Sequence, residues 1–142
     1  MDYPAHLARR RTLADGRTVV IRPIRPEDKA AVQFDYDRRM AFVCEAEAKG
    51  PPTIVGEARY VADPGGRSCE FGVVIADDWH GSGIAGLLMD ALIRAAQARG
   101  LETMEGLVLR DNAEMLKFVR ALGFETSPDP EDPATLRAVR KL

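Results

Sequence analysis

Around residue 83 the hydrophobic pattern of this 142-residue chain changes period, and that change limits the folds open to it. Before it, short apolar runs are separated by turn residues. "RRTLADGRTVVIRPI" holds an Asp15-Gly16 turn between two extended runs, a hairpin signal. Residues 40–48, 53–63 and 68–76 are rich in strand formers, with "KGPP" and "PGG" as reversals, and predict an antiparallel meander. After it, Ile84, Leu87, Leu88, Ala91, Leu92 and Ala95 fall on one helical face, and Gly100 closes a helix over 83–99.

Residues 101–109 then form a strand. Strand, helix and strand make one right-handed crossover, which sets 101–109 parallel to 68–76. A second helix spans 112–122, with Asn112 as N-cap and Gly123 as its stop. "PDPEDP" is a turn-rich connection, "ATLRAVRKL" a closing strand, and "PEDKAAVQ" a short helix near the start. The expected fold is α/β: a mixed, mostly antiparallel sheet with one parallel βαβ unit, in a single domain of residues 1–142.

Composition narrows the function classes. A net charge of −2 gives a polyanion no purchase, and Arg9, Arg10 and Arg11 read as a solvated strand edge rather than a nucleic-acid patch. Cys44 and Cys69 fit neither a metal spacing nor a disulfide scaffold, and each sits in an apolar strand. No stretch approaches the ~18 apolar residues of a membrane span. The expectation is a reduced, cytoplasmic, soluble protein.

The junction between strand and helix, "DDWHGSGIAG", carries two overlapping motifs. From Gly81 it spells G-x-G-x-x-G, a dinucleotide-binding turn. From His80 it spells H-x-x-G-x-A. Both place glycines at a helix start, where unpaired N–H groups favour an anion. The dinucleotide reading fails on context. "ADDWH" intervenes between strand and loop, three antiparallel strands precede it, and no acid stands at the end of the next strand.

The other motif gains from its surroundings. An apolar strand, the loop, an amphipathic helix, a parallel strand ending near Asn112 and a short helix ending in Gly123-Phe124 follow in order. This half of the chain resembles the cofactor-binding half of the GNAT superfamily of N-acetyltransferases. "DGRTVVIRPIRPED", "ARYVADPGGRSCEFGVVIADDWHGSG" and "PDPEDP" look most like the acetyltransferase domain of bacterial protein-lysine acetyltransferases.

The resemblance implies acetyl-CoA as cofactor and an amine, a protein lysine above all, as acceptor. Backbone amides of His80, Gly81, Ser82, Gly83, Ile84 and Ala85 would hold the pyrophosphate. The pantetheine arm would lie along Val73, Val74 and Ile75, with Asn112 in contact with it. His80 and Ser82 stand where relatives often carry charged or amide side chains, which leaves more of the binding to backbone donors. Glu70, the acid in "CEFGVVI", would deprotonate the amine, and burial would raise its pKa. Attack is direct, without an acyl-enzyme on Cys44 or Cys69. Where many relatives carry a Tyr in the second helix this chain has Val119, so water protonates the departing thiolate.

One departure stands out. Relatives carry two helices between the first and second strands, whereas "FDYDRRMAFV" follows "RPEDKAAVQ" directly, so those helices are shortened or missing. The apolar surface this would expose favours a homodimer. A small-amine N-acetyltransferase and a non-catalytic acyl-CoA-binding module are the alternative functions.

Overall fold

The computed structural model describes residues 3–25, 28, 38–47 and 50–142. Its first reversal is the Asp15-Gly16 turn, which pairs β1 (Arg9–Thr12) with β2 (Thr18–Pro23). β3 (Arg39–Ala46), β4 (Thr53–Ala62) and β5 (Ser68–Ile75) continue the antiparallel meander. α1 (Ile84–Ala98) crosses to β6 (Thr103–Leu109), and α2 (Ala113–Ala121) crosses to β7 (Glu125–Pro128), with β8 (Thr135–Lys141) last. The eight strands form one sheet in the order β1-β2-β3-β4-β5-β6-β8-β7, in which only β5 and β6 pair parallel.

The mixed α/β architecture thus matches the sequence reading. β7 was not expected from the pattern. It is four residues long, largely exposed and ends in Pro128, so it offers no alternation to read. β8 returns between β6 and β7 and leaves β7 as an edge strand. The helix expected at "PEDKAAVQ", and with it the shortened connection to β3, lies outside the described residues apart from Asp28.

Both crossovers step in the same direction along the sheet, so right-handedness puts α1 and α2 on one face. We call this the first face. Its floor holds Val19, Ile21, Phe42, Cys44, Ala58 and Met104, all buried. α1 packs on it through Ile84, Leu88, Met89, Leu92, Ile93 and Ala96. This stripe is rotated from the expected one: Leu87, Ala91 and Ala95 are only half-buried. Gly56 is where the helix comes closest, since a Cβ there would sit 3.0 Å from both Leu88 Cδ1 and Ile75 Cδ1.

The second face is covered at one end. There Arg22, 3% exposed, donates to Asp28 at 2.8 and 3.0 Å and to Glu45 at 3.0 and 3.2 Å. Two carboxylates around one buried guanidinium satisfy a charge that would otherwise be costly to bury. At the other end this face is open, and Val74, Leu107 and Leu109 are 62%, 58% and 57% exposed.

The Arg22 guanidinium holds the Asp28 carboxyl below its usual range, against the opposing effect of burial. Ionised Asp28 therefore contributes stability that is complete above the unfolded value, about 4. That stability is lost as pH falls through the lower folded value. Asp28→Asn should destabilise the protein at neutral pH and flatten the acid limb of its stability curve below about pH 4. Urea midpoints measured across that range check both.

Candidate active site

β5 and β6 pair at only three positions, Ser68↔Thr103, Cys69↔Met104 and Glu70↔Glu105. The next residues are Phe71 and Gly106. The Phe71 ring lies so close to Gly106 that a Cβ there would sit 2.6 Å from it. The ring also packs on Phe124 with centroids 5.0 Å apart. Pairing ends at this contact, and the strands diverge into a V.

Beyond Phe71 the backbone of β5 has partners on one side only. The Ala76 N–H donates to Val55 O, on the β4 side, at 2.9 Å. Alternation along the ladder then turns the backbone groups of Val73 and Ile75 towards the V. His80 Nε2 donates to the Ile75 carbonyl at 3.1 Å. Left facing the V are the N–H groups of Val73 and Ile75 and the Val73 carbonyl.

The loop after β5 closes the wide end. Gly81 and Gly83 take φ of 77° and 92°, the left-handed region that favours glycine. Ser82 Oγ donates to Trp79 O at 2.6 Å and fixes the turn. No side chain caps α1, so its first N–H groups and its positive dipole end are left to a ligand.

Between α1 and α2 these parts enclose a cleft of about 570 Å³. Of the residues expected at a cofactor site, Val73, Ile75, His80, Gly81, Gly83, Ala85 and Asn112 line it. Asn112 Oδ1 accepts the Met115 N–H at 3.1 Å as helix cap, which leaves its amide N–H groups for the cleft. Val74 projects from the second face, Ile84 is fully buried beneath the loop, and the Ser82 hydroxyl is turned to Trp79. Ile84 and Ser82 are thus positioned to contribute backbone rather than side chains, whereas Val74, expected at the cofactor arm, pairs its backbone with Glu57 of β4 and turns its side chain to the other face.

The other wall comes from α2, which the sequence reading left out. Glu114, Lys117, Phe118 and Ala121 line the cleft, together with Met115, Trp79 and Gly86. The spacing 114, 117, 118, 121 is one helical stripe, and that period is visible in the sequence. Lys117 brings a cation to a cleft that the loop alone leaves poor in charge. Val119 is fully buried and Phe118, not Val119, faces the cleft.

Glu70 is elsewhere. It belongs to the second face, is exposed, and shares a smaller cavity of about 240 Å³ with Glu105, Asp129, Glu131 and Arg137. Arg137 donates to Glu105 at 2.8 Å. Strand alternation turns it to the face opposite α1 and α2, so it is exposed and burial does not act on its carboxyl. Its place in the register is the notable fact: Glu70 is the last β5 residue to pair with β6, so it stands at the apex of the V.

Burial pushes the thiols of Cys44 and Cys69 up to about 11 and about 12, respectively, so neither is a thiolate near neutral pH. Cys69 donates weakly to Thr103 O at 3.6 Å. Among the described residues no group of His, Cys, Asp and Glu could hold a metal ion, and no helix is long and apolar enough to cross a membrane.

Residues 10–124 match the Acetyltransferase (GNAT) family. The chain belongs to that family. Acetyl transfer from acetyl-CoA is its general chemistry. An acetyltransferase of Pseudomonas aeruginosa is 31% identical, over 85% of this chain and 82% of its own. The L-methionine sulfoximine/L-methionine sulfone acetyltransferase of the same organism is 33% identical, over 80% and 70%. The GNAT domain of S. lividans PAT superposes with a TM-score of 0.83 at 20% identity, over 99% of this chain and 100% of that one. The cleft fits acetyl-CoA: anion-binding N–H groups at one end, amide donors along one side, and apolar Met115 and Phe118 on the other.

If the Phe71–Gly106 contact opens the V, it cannot tolerate a methyl group. Gly106→Ala should cost about 1–3 kcal/mol of stability, typical of overpacking, and weaken acetyl-CoA binding. Urea unfolding and calorimetric titration report the two effects separately.

Proposed function

We propose that this chain acetylates an amine that reaches the apex of the V from the second face, with Glu70 as general base. The observation that carries the reading is the register of Glu70. It places a carboxylate where the strand gap begins, on the side opposite the cofactor cleft. Cofactor and acceptor would meet through the gap without sharing a face.

Several features support this assignment. The N–H groups of residues 80–85 would hold the pyrophosphate, with Lys117 adding charge. The N–H groups of Val73 and Ile75 and the Asn112 amide would hold the pantetheine arm. Bound there, acetyl-CoA supplies an acetyl group activated as a thioester. The Ile75 N–H is placed to polarise the thioester carbonyl, a role worth about 3 kcal/mol when well aligned. Glu70, Glu105, Asp129 and Glu131 give the second-face cavity an acidic lining that attracts an ammonium ion. Glu70 then accepts its proton, and the free amine attacks. With no Tyr in α2, water protonates the thiolate. The buried, protonated cysteines speak against a covalent route.

A protein lysine is the acceptor we favour. The base lies on an open sheet face flanked by exposed Val74, Leu107 and Leu109, a surface suited to a macromolecule. A small amine is the second reading, favoured by the relative from P. aeruginosa that acts on L-methionine sulfoximine and sulfone.

Glu70→Gln is the direct test. It should lower kcat by about 100-fold or more, the range for a lost general base, while the acetyl-CoA Kd stays unchanged. An unchanged kcat would overturn the role of Glu70, and a wild type that binds acetyl-CoA but never turns over would leave a binding module.

A further inference from the structure

A second cavity, about 610 Å³ in volume, lies against α1 and the first face, and it shares no residue with the acetyl-CoA cleft. Its floor is apolar: Ile21, Met40, Phe42 and Tyr60, each no more than 4% exposed. The N-terminal segment forms the outer wall, tied down by the Tyr3 hydroxyl, which donates to Pro23 O at 2.7 Å.

The rim has the opposite character. On β1, Arg9 stands opposite Ile21 and Arg11 opposite Val19, so alternation turns both towards the first face. Arg10, turned the other way, is taken by Glu47 at 2.8 Å. Arg94 and Arg99 extend the rim from α1. The carboxylate there, Asp90, is already held by Arg94 at 3.1 Å. Arg9 donates to the carbonyls of His6 and Ala8, both at 2.8 Å, which orients its guanidinium without neutralising it. Burial pushes the Tyr60 hydroxyl up to about 12, so it stays a neutral donor, and Arg99 is near enough to act on it.

An apolar floor favours a hydrocarbon body, and a rim of guanidinium groups favours a planar anion that accepts two hydrogen bonds from each. A peptide or nucleotide would bring polar groups onto a floor with almost nothing to pair them. We propose that this cavity binds an amphipathic organic anion, its chain against the half-buried Leu7, Leu87, Ala91 and Ala95 above that floor and its carboxylate head between Arg9 and Arg11. The site is separate from the transfer reaction and does not depend on the role given to Glu70.

Decanoate is a suitable probe, titrated calorimetrically into the full chain saturated with coenzyme A, beside decyltrimethylammonium as a cation of equal tail. Decanoate should bind, and the cation should bind at least about tenfold more weakly, a difference of 1.4 kcal/mol. Arg11→Glu, an exposed edge substitution, should weaken decanoate binding by a similar factor. So should Ala91→Trp, which fills the cavity from the half-buried side of α1. Absence of binding, equal binding of the cation, or unchanged affinity in the Arg11→Glu variant would each overturn the proposal. If Ala91→Trp does not fold, Arg11→Glu decides alone.

Discussion

The contact between the Phe71 ring and the backbone of Gly106 governs the rest of this structure. A glycine at 106 leaves the space that an aromatic ring at 71 fills, and the ring is held there by Phe124. Parallel pairing ends one residue earlier, at Glu70↔Glu105. From that single interruption follow backbone N–H groups without a strand partner, a cleft between two helices, and a carboxylate at the apex. Backbone donors without a strand partner are left to water or to a ligand. In the proposed reading a ligand takes the place of the missing strand.

The sheet keeps two kinds of chemistry on opposite faces. The first face offers helix dipole, loop amides and Lys117 to an anionic, extended cofactor. The second offers carboxylates to a cation. Separation by a sheet lets each environment be tuned alone, since the charges that attract a pyrophosphate would repel an ammonium ion. In the proposed reaction the two meet at the gap between β5 and β6. The arginine-rimmed cavity lies along α1 and uses the same first face for a third kind of surface.

Much of this was legible in the sequence, for identifiable reasons. The period change at Gly83 and the turn residues at 15–16 and 64–66 depend on local sterics, so hairpin, meander and crossover could be read directly. His80, Gly81, Gly83 and Ala85, which line the cleft, stand in one contiguous loop motif, whereas Asn112 came from the resemblance at the start of the second helix. The α2 wall was not legible. Glu114, Lys117 and Phe118 form a stripe that reads as an ordinary helix face until the position of β5 is known. β7 was hidden because four largely exposed residues carry no alternation. The side to which Glu70 points was given by alternation with Gly72 and Val74. Its apolar neighbours in sequence suggested burial, yet they face the helices while Glu70 faces away. Arg9 and Arg11 do lie on an exposed edge strand, as read, but that they border a cavity beside α1 depends on their pairing opposite Ile21 and Val19, which is a tertiary fact.

Amide hydrogen exchange at Val73 and Ile75 tests the opened strand most directly. In the free protein both amides should exchange far faster than their ladder-paired neighbours Gly72 and Val74, and acetyl-CoA should slow them by about tenfold or more, as expected when an open amide gains a partner. Strong protection of both in the free protein, or exchange that acetyl-CoA leaves unchanged, would contradict the account.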